Sequence, residues 1–175
     1  MTGPSHSADA SAATAGLFHH VALQVADLER AAAFYLEVFD ADWAARRFVQ
    51  SGERMERLFG RLPGLELAFC HVRLPGGLLI ELVQVIQPPV GLPAPHEVGS
   101  LPHLGIWVDD VERVAARVEG AGGRIIAEPA ATITPDVARK FFYCSDPSGN
   151  TLDVTEAPAA EMLSIVHETW PESRP

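Results

Sequence analysis

Two histidines and two carboxylates stand at matched places in this chain, and together they could hold a divalent cation. His20 opens the run His20-Val-Ala-Leu-Gln-Val, and His103 opens His103-Leu-Gly-Ile-Trp-Val, 83 positions further on. Glu81 lies inside Leu78-Leu-Ile-Glu-Leu-Val83, where an ionised carboxylate is costly unless paired or bound to metal. Asp153 lies in Gly149-Asn-Thr-Leu-Asp-Val-Thr155, with Thr151 and Thr155 on its face of a strand and Leu152 and Val154 on the other. Taken singly, each has an ordinary alternative: a histidine satisfied in a core, or a carboxylate on the water side of a strand. Imidazole nitrogen and carboxylate oxygen together suit Zn²⁺, Ni²⁺, Co²⁺, Mn²⁺ or Fe²⁺ and leave positions open for water or substrate.

A duplication is what sets these residues in register. Laid over one another, residues 20–33 and 103–116 agree at His20/His103, Val25/Val108, Asp27/Asp110, Glu29/Glu112, Arg30/Arg113, Ala32/Ala115 and Ala33/Ala116. Seven identities in fourteen positions exceed chance and mark two copies of one unit. Each copy alternates apolar and other residues, as a half-buried strand does, and then offers an aspartate as helix N-cap. The second helix should stop at the glycines 120–123. Three further strands are expected in each copy, around Trp43–Phe48, Leu67–Leu74 and Leu78–Val85, then around Arg124–Glu128, Lys140–Cys144 and Asn150–Thr155. Pro75-Gly-Gly77 and Asp146-Pro-Ser-Gly149 read as the turns before the last strands. Residues 51–60 read as an extra short helix or lid, and 159–170 as a peripheral amphipathic helix. The organisation expected is an arm at 1–16, a first βαβββ module at 17–86, a Pro-rich linker at 87–100, a second module at 101–157 and a tail at 158–175. The fold class is α+β, with two tandem modules forming curved mixed sheets around a metal-binding cup.

The pattern His-x-x-x-x-Val-x-Asp-Leu-Glu-Arg-Ala…Phe-Tyr, then Ile-Glu-Leu, then His-x-x-x-x-Val-Asp-Asp, then Asp-Pro-x-Gly-Asn, resembles the vicinal-oxygen-chelate superfamily over residues 17–157. That superfamily holds glyoxalases, epimerases, extradiol dioxygenases, fosfomycin-resistance enzymes and bleomycin-binding proteins. The resemblance implies one divalent metal held by His20, Glu81, His103 and Asp153, with aspartate where the family usually carries glutamate. It implies a lyase or isomerase that removes a proton next to a carbonyl of a small oxygen-chelating substrate. Glu81 is then the first choice of base and Asp153 the second. It also leaves a metal-free drug-binding protein and an extradiol-type dioxygenase as other classes, and implies a homodimer whose cup forms within one chain or across two.

Gln24 and Trp107 should share the histidine face and line a substrate pocket, and Phe69 and His71 are further candidates for its lining, from a strand whose parity the sequence leaves open. His19 should face the other way, and His71, His96 and His167 have no partner in the repeat. Arg139 and Lys140 read as a solvated turn. The net charge of −10 disfavours nucleic acid as a partner, and no stretch is long and apolar enough for a membrane span. Cys70 and Cys144 in apolar strands, with no secretory signal at the start, point to two buried thiols and a cytoplasmic protein.

Overall fold

The computed structural model describes residues 18–58, 63–89, 101–131, 139–169 and 171–173. The expected arm and most of the Pro-rich linker lie outside these residues. The first module runs β1 (Val21–Gln24), α1 (Leu28–Val38), β2 (Asp42–Ser51), α2 (Glu53–Leu58), β3 (Glu66–Arg73) and β4 (Leu79–Gln87). The second runs β5 (Leu104–Trp107), α3 (Val111–Val118), β6 (Arg124–Ala131), β7 (Lys140–Ser145) and β8 (Thr151–Thr155), followed by α4 (Ala159–Thr169). Their sheets have the same order, β1-β4-β3-β2 and β5-β8-β7-β6, with the first strand parallel to the last and the other pairs antiparallel. The duplication in the sequence is therefore a duplication of topology.

Both crossover helices start as expected. The Asp27 carboxylate accepts the Arg30 N–H, and Asp110 accepts that of Arg113, each at 3.0 Å; such a cap is worth about 1 kcal/mol. Helix α1 then buries Leu28, Ala31, Ala32, Phe34, Tyr35 and Val38 at helical spacing, and α3 buries Val111, Val114 and Val118. Past α3, Gly123 sits so close to its surroundings that a Cβ there would stand 2.5 Å from the Ser145 carbonyl and 2.6 Å from a Phe34 ring carbon. That glycine lets α1, α3 and β7 approach one another.

One apolar core joins the modules. Leu23, Ala68, Cys70, Val72, Ile80 and Leu82 of the first sheet meet Ile106, Phe142, Cys144, Leu152 and Val154 of the second, with α1 and α3 in the same cluster. Each sheet thus turns one face to this shared core, so the opposite faces look away from it. A smaller core lies on the outer face of the first sheet, where Met55 of α2 packs with Leu65, Leu67, Phe69 and Val83. Both cysteines are buried and free, and burial pushes their thiols up, Cys70 to about 11 and Cys144 to about 12, which makes them poor nucleophiles.

The modules are also tied by a polar clasp. Asp146, 2% exposed, accepts the Ser148 and Asn150 backbone N–H groups at 2.8 and 3.0 Å, the Asn150 side-chain amide at 2.9 Å and the Tyr35 hydroxyl at 3.2 Å. The Asn150 amide also donates to the Gln24 carbonyl at 3.1 Å, and the Ala26 N–H donates to Ser148 Oγ. Burial raises the Asp146 pKa, and the hydrogen bonds pull against that rise. Among the described residues no helix is long and apolar enough to cross a membrane.

Candidate metal centre

Strand register carries each carboxylate to a histidine. In the first sheet Ala22 pairs with Glu81, and His20 lies two residues before Ala22. In the second, Gly105 pairs with Asp153, and His103 lies two residues before Gly105. The period of two places Glu81 and Asp153 on the outer faces, away from the shared core, and each histidine, one residue before its strand, stands beside its carboxylate. His20 Nε2 stands 3.8 Å from Glu81 Oε2, and His103 Nε2 stands 4.0 Å from Asp153 Oδ2. Two donors about 2.1 Å from one cation at a tetrahedral angle are about 3.4 Å apart. Each pair therefore needs only a small side-chain adjustment to share an ion. Asp153 Oδ1 is buried without a hydrogen-bond partner, which also suits a cation.

Each pair offers two donors, fewer than the four of a tetrahedral site. Among the described residues no group of three or more His, Cys, Asp or Glu side chains is placed to hold an ion, and the two pairs stand on outer faces on either side of one core. His20 with Glu81, and His103 with Asp153, are brought together; the four are not.

A second matched position stands beside the first. His71 on β3 is directly opposite Glu81, and Tyr143 on β7 is directly opposite Asp153. Each lies 10 residues before its carboxylate: His71 Nε2 is 3.1 Å from Glu81 Oε1, and the Tyr143 hydroxyl donates to Asp153 Oδ2 at 3.2 Å. Burial first, and the neighbouring Asp153 charge second, raise the Tyr143 pKa, so the phenol keeps its proton and remains a donor. The His71 ring stacks on Phe48 with centroids 6.0 Å apart, and its Nδ1 is buried without a partner. Comparing histidine with histidine leaves His71 unmatched, since its counterpart is a tyrosine; the shared spacing from the carboxylate was the available signal.

The expected pocket residues are placed unequally. Trp107, two strand positions after Gly105, is 54% exposed and donates its indole N–H to the Glu156 carbonyl at 3.0 Å. Gln24 lies on the outer-face parity of β1 and is half-buried. Phe69, 5% exposed, belongs to the core under α2 and stacks on Phe48. His19 does not turn away from His20: both precede the first residue of β1, so strand parity does not govern them, and their Nδ1 atoms are 2.6 Å apart. Arg139 and Lys140 are exposed but paired, with Glu161 and Glu112. A cavity of about 320 Å³ lies between the 74–78 turn, β5 and α3, lined by Trp107, Gly105 and Arg113 among others, and contains none of the four candidate ligands.

Comparison with known proteins agrees with this architecture. The chain is similar to a glyoxalase family protein from Bacillus cereus, at 19% identity and a TM-score of 0.65, over 82% of this chain and 96% of that one. It is similar to a genomically encoded fosfomycin resistance protein from Listeria monocytogenes, solved with Mn(II) and sulfate, at 15% identity and a TM-score of 0.53, over 85% and 98%. It is also similar to a glyoxalase I mutant from Zea mays, at 19% identity and a TM-score of 0.51, over 78% of this chain and 44% of that one. At such identities the likeness is one of fold. No curated protein matches the chain. The family model described as the Glyoxalase/Bleomycin resistance protein/Dioxygenase superfamily matches residues 17–154, and with its two βαβββ modules the chain belongs to that superfamily.

Proposed function

We propose that this protein is a divalent-metal-dependent lyase or isomerase of the glyoxalase type, removing a proton next to a carbonyl of a small oxygen-chelating substrate. The observation that carries the reading is the equivalence of the pairs His20–Glu81 and His103–Asp153 in strand register. These four residues would hold the ion, one of Zn²⁺, Ni²⁺, Co²⁺, Mn²⁺ or Fe²⁺. A cation so placed supplies a Lewis acid that lowers the acidity barrier of the adjacent C–H and steadies the developing negative charge. Glu81 is the base: its Oε1 is oriented by His71 Nε2, which presents Oε2 toward His20. Asp153 serves as the second carboxylate, held by the Tyr143 hydroxyl. Gln24 and Trp107, on the same outer faces, would border the substrate.

The outward placement of the pairs favours a homodimer in which the first module of one copy meets the second module of the other. Four donors would then surround each ion, and a dimer would hold two sites by symmetry. The buried free thiols fit a reducing, cytoplasmic setting. The test is elemental analysis after reconstitution with each metal and gel filtration. The proposal expects about one ion per chain in a dimer, with His20→Ala and His103→Ala each losing it. Binding below about 0.1 equivalent would overturn it and leave a metal-free binding protein as the reading.

A further inference from the structure

We infer that the cavity of about 140 Å³ beneath α4 is a subsite for one aromatic ring carried by an oxygen-chelating ligand. The inference rests on Asp153 facing the ligand, as proposed above, and adds what the ligand's non-chelating end is.

Helix α4 crosses the outer face of the second sheet. The Arg139 guanidinium grips Glu161 through two hydrogen bonds, 3.0 and 3.1 Å, which fixes the first turn. Ile165 is 8% exposed and faces the sheet. Between helix and sheet the cavity is walled by Phe141, Ala157, Met162 and Ile165, with Tyr143, Asp153 and Thr155 also lining it. Phe141 and Tyr143 meet edge to face, with centroids 6.0 Å apart.

Size and chemistry select the occupant. A cavity of about 150 Å³ is large enough to take up benzene, and this one opens to solvent at Met162, 43% exposed. Aromatic and thioether walls favour a ring over an alkyl group of similar bulk. Asp153 Oδ1, buried and unpartnered, marks the end from which the ligand's polar group departs. The matching space in the first module is filled. There Phe69, the counterpart of Phe141 two positions before the carboxylate's partner, is packed under Met55 with Leu67 and Val83. The subsite therefore takes one ring per site.

The chain has three methionines, and two of them report directly. With methionine methyls labelled with ¹³C, benzyl alcohol added to the metal-free protein should shift Met162 saturably and leave Met55 unmoved. Ala157→Phe, or Ala157→Leu if the larger change does not fold, should abolish the shift. On Mn²⁺-loaded protein, calorimetry should find mandelate binding about ten-fold more tightly than lactate, which chelates alike but lacks the ring, and the variant should erase that preference. An unmoved Met162, equal movement of both methionines, or a shift that survives Ala157→Phe would overturn the subsite. If none of Zn²⁺, Ni²⁺, Co²⁺, Mn²⁺ and Fe²⁺ binds, the metal reading fails and the benzyl alcohol titration still decides the subsite. If lactate binds but mandelate is not preferred, the metal reading stands and the subsite fails.

Discussion

His71 and Tyr143 occupy one structural position with different chemistry, and this makes the two halves of the chain unequal. An imidazole can donate or accept beside Glu81, whereas the Tyr143 phenol only donates to Asp153 at the pH where it keeps its proton. Tyr143→Phe leaves Asp153 Oδ2 without its donor beside an already unpartnered Oδ1. The metal-free variant should lose about 1–3 kcal/mol of stability in urea denaturation, and added metal should recover most of it. A loss unaltered by metal would speak against Asp153 as a ligand. The duplication made His20 and His103 legible because it repeats residue type as well as place. At His71 and Tyr143 it repeats place alone, so strand register was needed to see the match. His19 escaped for another reason: period-two reasoning stops where the strand does.

At the scale of elements, the sequence carried most of the architecture. The caps Asp27 and Asp110, the succession of strands along the chain and the short helix or lid read after residue 51 all follow from local patterns, whereas the order of strands within each sheet does not. Asp110→Ala should cost about 1 kcal/mol, read as a lowered urea midpoint with unchanged slope. Strand β2 is longer than its apolar pattern suggested, Asp42–Ser51 rather than about 43–48, because an edge strand with exposed side chains and register shifts leaves little period-two signal. The glycines after α3 were legible as a stop, but the close approach at Gly123 depends on Ser145 and Phe34, both distant in sequence. Gly123→Ala should destabilise the protein by about 1–3 kcal/mol, well beyond the effect of Gly120→Ala, whose Cβ would meet nothing nearer than 3.7 Å. Equal losses at the two positions would contradict the packing described for α1, α3 and β7.

For the molecule as a whole, alternation assigns two faces to each sheet but does not say which face meets the other module. Only the shared core settles that, and it turns the His–carboxylate pairs outward. The clasp between modules has its own signature. Burial, and then Asp146, raise the Tyr35 pKa well above 10.0. The unfolded chain therefore releases this proton first, and the stability Tyr35 contributes is complete below about pH 10 and lost as pH climbs through the folded value. Tyr35→Phe should melt lower than wild type at pH 8, by about 1 kcal/mol for the lost hydrogen bond. Its stability should fall less steeply than that of wild type above pH 10; parallel slopes would deny the buried phenol its role.

The proposed site draws one pair from each of two chains, and mixing separates this from a site within one chain. One variant carries His20→Ala with Glu81→Ala, the other His103→Ala with Asp153→Ala, and neither should bind metal alone. Co-refolded in equal amounts, they should regain roughly a quarter of the wild-type metal, since half the dimers are mixed and each mixed dimer has one intact site of two. No recovery of metal in dimers shown to be mixed would contradict the shared site.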